Sequence, residues 1–173
     1  MRPPFVTLGI AALTGAVYAW LASRPDAEFL RAVEIRAASP LLHASLSHLL
    51  VNLALLLAFG PSIEKRAKGW GLALVYVLSA AAGVGAHQLA SGLPLVGASG
   101  AVSGVIGAHA GVRPWGKASV VAAALWGVAN AAGWLVWPGA GLSYASHLGG
   151  LVAGGVVAAL IASRGRKSRR GGP

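Results

Sequence analysis

Apolar residues in this chain do not alternate with polar ones. They gather into six runs at about 5 to 23, 43 to 60, 70 to 90, 97 to 112, 118 to 137 and 145 to 163. Runs of this length, rich in Ala, Leu, Val and Gly, predict helices rather than barrel strands. The separators SRPDAEFLRAVEIRAASP, PSIEKRAKG, SGLPL, RPWGK and the Trp137-Pro138-Gly139 neighbourhood carry the Pro, Gly and charge that end helices. A hydrocarbon core about 30 Å thick takes about 20 helical residues, so six spans occupy nearly the whole chain.

The expected fold is therefore an all-α integral membrane protein, a six-helix bundle over residues 1–163 followed by a basic tail over 164–173. Composition agrees: 56% of the residues are hydrophobic, 10% are charged and the mean hydropathy is +0.70, too apolar for a soluble domain. The first run, preceded by Arg2, lacks a clean small-x-small cleavage site and reads as an uncleaved helix. With no cysteine, disulfide and thiolate chemistry are excluded.

A net charge of +10 raises the question of a nucleic-acid partner, but the basic residues sit at the ends of apolar runs and in the tail, without interleaved aromatics. Topology explains them. With both termini cytoplasmic, the inner face collects Arg2, Lys65, Arg66, Lys68, Arg113, Lys117, Arg164, Arg166, Lys167, Arg169 and Arg170, which is 11 of the 14 basic residues. Arg24, Arg31 and Arg36 stay outside with Asp26, Glu28 and Glu34. The tail has an added attraction to anionic lipid. A compact chain of this kind suits a prokaryotic plasma membrane.

Polar groups inside a span are costly, and those present are candidates for function. His48 and Asn52 lie in the second run, Ser99 begins the fourth and His147 lies near the start of the sixth. Counting back from the cytoplasmic ends at about 1.5 Å per residue puts all four in one layer, roughly 5 to 12 Å below the outer edge of the core. Gly100, Gly104 and Gly107 on one helix and Gly150 and Gly154 on the other have the spacing that lets backbones approach. A serine hydroxyl becomes a nucleophile when an imidazole takes its proton, so Ser99 and His147 point to acyl transfer. The Asn52 amide, the His48 ring N–H and the Ser99 backbone N–H are the donors an oxyanion requires, and Ser99 opens a helix whose positive end favours an anion. Of the four carboxylates, Asp26, Glu28 and Glu34 lie in the outer loop and Glu64 at the opposite face, so the expectation is a Ser-His dyad.

Three segments carry a family resemblance. His43 to Asn52, H-A-S-L-S-H-L-L-V-N, resembles the second-helix signature of the rhomboid family, with His48 and Asn52 at its HxxxN positions. Gly97-Ala98-Ser99-Gly100 resembles the GxSG motif, and His147-Leu148-Gly149-Gly150 with Gly154 is similar to the sixth-helix motif. Glu64-Lys65-Arg66 also follows the family habit. The resemblance implies an intramembrane serine protease that cleaves single-span membrane substrates near the outer membrane face, without cofactor or metal. It further implies Ser99 as nucleophile, His147 as general base and acid, and Asn52 and His48 as oxyanion partners. The chain departs from the family in a first outer loop of about 20 residues, in Ile35-Arg36 where a Trp-Arg pair is common, and in Ser103 where an aromatic often packs on the histidine.

Other histidines have plainer readings. His43 is expected to stabilise a loop near the water interface, His87 beside Gln88 to be an interfacial polar residue, and His109, four residues from Arg113, to lie near the cytoplasmic side. A metal site is not expected, since no HExxH occurs and no carboxylate joins the histidines inside the membrane. The competing functions are a proteolytically silent rhomboid-like chaperone and a small transporter. The latter has no inverted repeat and no mid-membrane charge to support it. Lipid and transmembrane substrates are the expected partners, with the oligomeric state open.

Overall fold

A computed structural model describes residues 3–24, 40–91, 93, 95–111, 116–137 and 143–170, with the backbone alone at 116 and 165–170. Among these the chain forms five helices and is all-α: α1 (Phe5–Ala22), α2 (Leu46–Ser91), α3 (Ser99–Gly111), α4 (Gly116–Val136) and α5 (Tyr144–Arg170). Ile35, Arg36, Arg113 and the loop acids Asp26, Glu28 and Glu34 lie outside the described residues.

Four of the helices, α1, α2, α4 and α5, are long and apolar enough to cross a membrane. α2, with 46 residues, would be about 69 Å long if straight, more than twice the hydrocarbon thickness. It is two helices joined at Lys68, whose φ of 63° and ψ of 171° interrupt the helix. The arms run antiparallel: His48 on the first and Gly83 on the second both lie against the start of α3, at Gly97 and Gly100 respectively.

Two boundaries differ from the sequence expectation. A break is expected at Pro61, yet the helix continues past it to the kink at Lys68. A proline in a membrane helix is tolerated where neighbouring groups satisfy the freed carbonyl. At the other end α5 runs through Arg170, into a stretch for which the sequence predicts no regular structure. Extending an existing helix is easy, and Arg and Lys are good helix formers that suit its negative C-terminal end.

α2 and α3 enclose an apolar core that includes Leu56, Ile63, Leu72, Val75, Val102 and Val105, but the packing of α1 and α4 is inside out. In α1 the buried residues are Thr7 and Thr14, while Phe5, Leu8, Leu13 and Trp20 face outward. In α4 Ser119 and Asn130 are buried, whereas Val121, Leu125, Val128 and Leu135 are exposed. Lipid is as apolar as leucine, so such helices gain nothing by hiding leucines and associate through close packing and hydrogen bonds. α3 lies at the centre, with every residue from Gly100 to Ala108 buried. Its 13 residues span about 20 Å, and the surrounding helices cover it on all sides.

Glycine makes that enclosure possible. A Cβ on Gly150 would fall on the Gly100 carbonyl, one on Gly154 on the Gly104 carbonyl, and one on Gly107 on the Leu151 carbonyl. α3 and α5 therefore meet backbone to backbone. At the opposite end of the bundle, the Glu64 carboxylate accepts hydrogen bonds from Val6 N–H at 2.9 Å, Thr7 N–H at 2.8 Å and the Thr7 hydroxyl at 2.8 Å. These satisfy donors that the first turn of α1 leaves without helical partners.

Candidate active site

Ser99 is the first residue of α3, and the approach to it is tightly specified. Gly97 has φ +124°, and a Cβ there would lie 2.6 Å from His48 Cε1 and 2.8 Å from Nε2. Only glycine accepts both the backbone angle and the imidazole. His48 itself sits in the first turn of α2, which Ser45 caps by accepting the His48 N–H at 3.2 Å. Its ring meets that of His43 edge to face, with centroids 5.1 Å apart.

His43 is buried beneath the same loop, and its Nε2 accepts the Ala98 N–H at 3.4 Å. That nitrogen is therefore unprotonated. The expectation of a loop-stabilising role for His43 thus has a definite contact, one residue before Ser99. The Ala98 carbonyl accepts the Val102 N–H at 2.9 Å and begins α3, so helix geometry leaves the N–H groups of Ser99, Gly100 and Ala101 without intrahelical acceptors. Asn52 is buried, and one hydrogen of its amide goes to the His48 carbonyl at 2.9 Å. This bond uses one of the two amide hydrogens.

His147 lies in the first turn of α5, its N–H bonded to the Ser143 carbonyl at 3.1 Å. Its neighbour Ser146 rests on Gly83 and Gly100, and Gly150 meets Gly100 one turn further along. The start of α3 and the start of α5 are thus side by side, with Ser99 half-buried and His147 buried. Among the described residues no hydrogen bond joins Ser99 Oγ to His147. Such contacts are often long before substrate is bound.

Two residues not singled out as partners of the histidine lie against it, Asn130 and Trp126, and Ser103 holds the second of them. Asn130 Oδ1 is 2.6 Å from His147 Nδ1, and Asn130 Nδ2 donates to the Trp126 carbonyl at 2.8 Å. The Trp126 ring lies 5.8 Å from the His147 ring, tilted by 40°. Its indole N–H donates to Ser103 Oγ at 3.0 Å. The signal was present in the sequence: an asparagine inside an apolar run, four residues after a tryptophan, is the kind of intramembrane polar residue that marks a site.

His87 and His109 lie elsewhere. His87 Nδ1 is 2.6 Å from Ser143 Oγ and its Nε2 is 3.0 Å from the Leu93 carbonyl, so it ties the end of α2 to the start of α5. His109 packs edge to face on Phe59, away from the serine.

A comparison with curated proteins found no match to the chain. The Rhomboid domain family matches it over residues 28–164, well over half its length, which takes in Ser99, His147, His48, Asn52, Trp126 and Asn130. The helical bundle with a buried, glycine-lined α3 and the family match together lead to one conclusion: the chain belongs to the rhomboid family.

Proposed function

We propose that this protein is an intramembrane serine endopeptidase. It binds single-span membrane proteins from the lipid and cuts them near the outer membrane face. Ser99 Oγ attacks the scissile carbonyl, His147 takes its proton and then returns it to the leaving amine, and water releases the acyl-enzyme by the reverse exchange. The Asn52 amide, the His48 ring and the Ser99 backbone N–H receive the oxyanion. In this reading the chain crosses a plasma membrane six times, with the two arms of α2 as separate spans, both termini cytoplasmic and the site open to the outer side.

One observation carries the reading. The helix that begins at Ser99 follows a glycine held at positive φ and backs directly onto the helix that carries His147. The same loop brings the His48 ring against Gly97, two residues before Ser99, and buried Asn52 lies one turn along the His48 helix.

The test is cleavage of a single-span reporter by the purified protein, with fluorophosphonate labelling of Ser99 alongside. Wild type cuts and is labelled, and Ser99→Ala and His147→Ala do neither. Cutting by both variants at the wild-type rate sinks the proposal. A non-proteolytic rhomboid-like binding protein is the competing reading, motivated by the short first outer loop and by Ser103 where an aromatic often packs on the histidine. Labelling of Ser99 that disappears in His147→Ala excludes it.

A further inference from the structure

Asn130 is an unusual residue for α4. The helix shows lipid an apolar surface at Leu125, Val128 and Leu135, and an amide in such a setting is retained only where it has work to do. Its side chain is buried, and both ends of the amide are committed. Nδ2 donates to the Trp126 carbonyl, which fixes the amide's orientation, because the reversed amide would set two oxygens against each other. Oδ1 therefore faces His147, and because a carbonyl oxygen can only accept, the ring nitrogen opposite it must be the donor. His147 must carry its proton on Nδ1, which leaves the Nε2 lone pair free.

Trp126 holds the same ring from a second side. The two rings are tilted by 40° with centroids 5.8 Å apart, and the indole N–H is bonded to Ser103, one turn along α3 from Ser99. The histidine is thus gripped by Asn130 at Nδ1 and by Trp126 across the ring, and the tryptophan is tied to the helix that carries the serine. We propose that Asn130 is a positioning residue for His147, the neutral third member of a Ser99–His147–Asn130 relay, with Trp126 and Ser103 fixing the plane of the imidazole.

This rests on the protease reading above. An amide does here what a carboxylate does in soluble serine proteases, selecting the tautomer and stabilising the imidazolium, without a full charge in a site walled by lipid-facing helices. A protonated aspartic acid has the same donor and acceptor arrangement as the amide, and an ionised one adds a charge. Asn130→Asp therefore keeps an acceptor facing His147 Nδ1–H in either form, and keeps the hydrogen bond to the Trp126 carbonyl only when protonated.

The experiment uses the full chain in lipid bilayers, with the single-span reporter, fluorophosphonate labelling and ¹⁵N NMR of histidine-labelled protein. Asn130→Ala is expected to lower kcat about 10- to 100-fold while leaving KM within about twofold, and to slow Ser99 labelling in proportion. Asn130→Asp is expected to recover most of the lost rate and to move the acid limb of the kcat/KM profile to higher pH by about one unit when ionised. The ¹⁵N spectrum should show neutral His147 as the Nδ1–H tautomer in wild type and a mixture in Asn130→Ala.

An Nε2–H tautomer in wild type overturns the proposal, as does an Asn130→Ala kcat within about threefold of wild type, or an Asn130→Asp no better than Asn130→Ala. These outcomes separate from failure of the protease reading. If wild-type Ser99 neither cuts nor labels, that reading falls, and the tautomer still decides whether Asn130 positions His147.

Discussion

Gly150 and Gly100 touch backbone to backbone: a Cβ on Gly150 would occupy the place of the Gly100 carbonyl oxygen. The obstructing atom belongs to a buried helix and cannot swing aside as a side chain would. Gly150→Ala and Gly154→Ala are therefore expected to destabilise the protein by about 2 kcal/mol or more each. Gly9→Ala and Gly85→Ala are internal controls, since nothing lies within 4 Å of a Cβ at either position. Alanine there should be neutral or stabilising by up to about 1 kcal/mol, because glycine is the poorer helix former. Thermal unfolding of the four variants in one detergent checks the contrast, and equal effects at all four would contradict the backbone contact.

At the other end of the bundle the hold on α1 is polar. Glu64 accepts three hydrogen bonds from Val6 and Thr7, and Thr7 is fully buried. Glu64→Gln turns an amide donor toward one of those N–H groups and is expected to lower stability by about 2 kcal/mol. Thr7→Val removes one bond and should lower it by about 1 kcal/mol. Because the two residues share a contact, the double variant should lose less than the sum of the singles. Strict additivity in unfolding measurements would show that the contact is not energetically coupled.

Much of this arrangement was legible in the sequence, and the reason is physical. In lipid the backbone must satisfy itself, so apolar runs translate almost directly into helices such as α1 and α4. Close approach demands glycine, so Gly100, Gly104, Gly150 and Gly154 advertised the contact between α3 and α5. The sequence did not reveal which polar residues of different helices would meet. Trp126 and Asn130 sit in a run that reads as lipid-facing, and their direction toward His147 follows from the tilt and rotation of α4, which hydropathy does not encode. The helical run through Pro61 was hidden for a similar reason, since what a proline does in a helix depends on its neighbours.

The loop before the serine offers a sharper test of geometry. Gly97 combines φ +124° with an imidazole where its Cβ would stand. Gly97→Ala must both strain the backbone and push His48 away. The expected result is a loss of reporter cleavage by about 100-fold or more, with a stability loss of about 1 to 3 kcal/mol from the strained residue. Fluorophosphonate labelling at fixed time, beside a melting curve, separates the two effects. A folded Gly97→Ala protein that cuts normally would remove His48 and the Gly97 loop from the proposed oxyanion site.

Ser103 and Trp126 make the last prediction. An aromatic is expected at position 103 from the family resemblance, stacked on the histidine. Here the residue is a fully buried serine, and the ring near His147 comes from Trp126 on the neighbouring helix, tied to Ser103 by its indole N–H. If the tryptophan fills the space an aromatic at 103 would need, Ser103→Phe alone must overpack it, at about 1 to 3 kcal/mol, and displace His147. Trp126→Ala alone leaves a cavity beside the histidine, at about 3 to 5 kcal/mol. In the double variant the new phenyl ring enters the space the indole leaves, so part of both losses should be recovered, in stability and in cleavage rate. The cycle is read by melting temperature and kcat on the same four proteins. Additive or worse losses in the double variant would mean that the two rings do not compete for one space, and that Trp126 packs on His147 without replacing the aromatic expected at position 103.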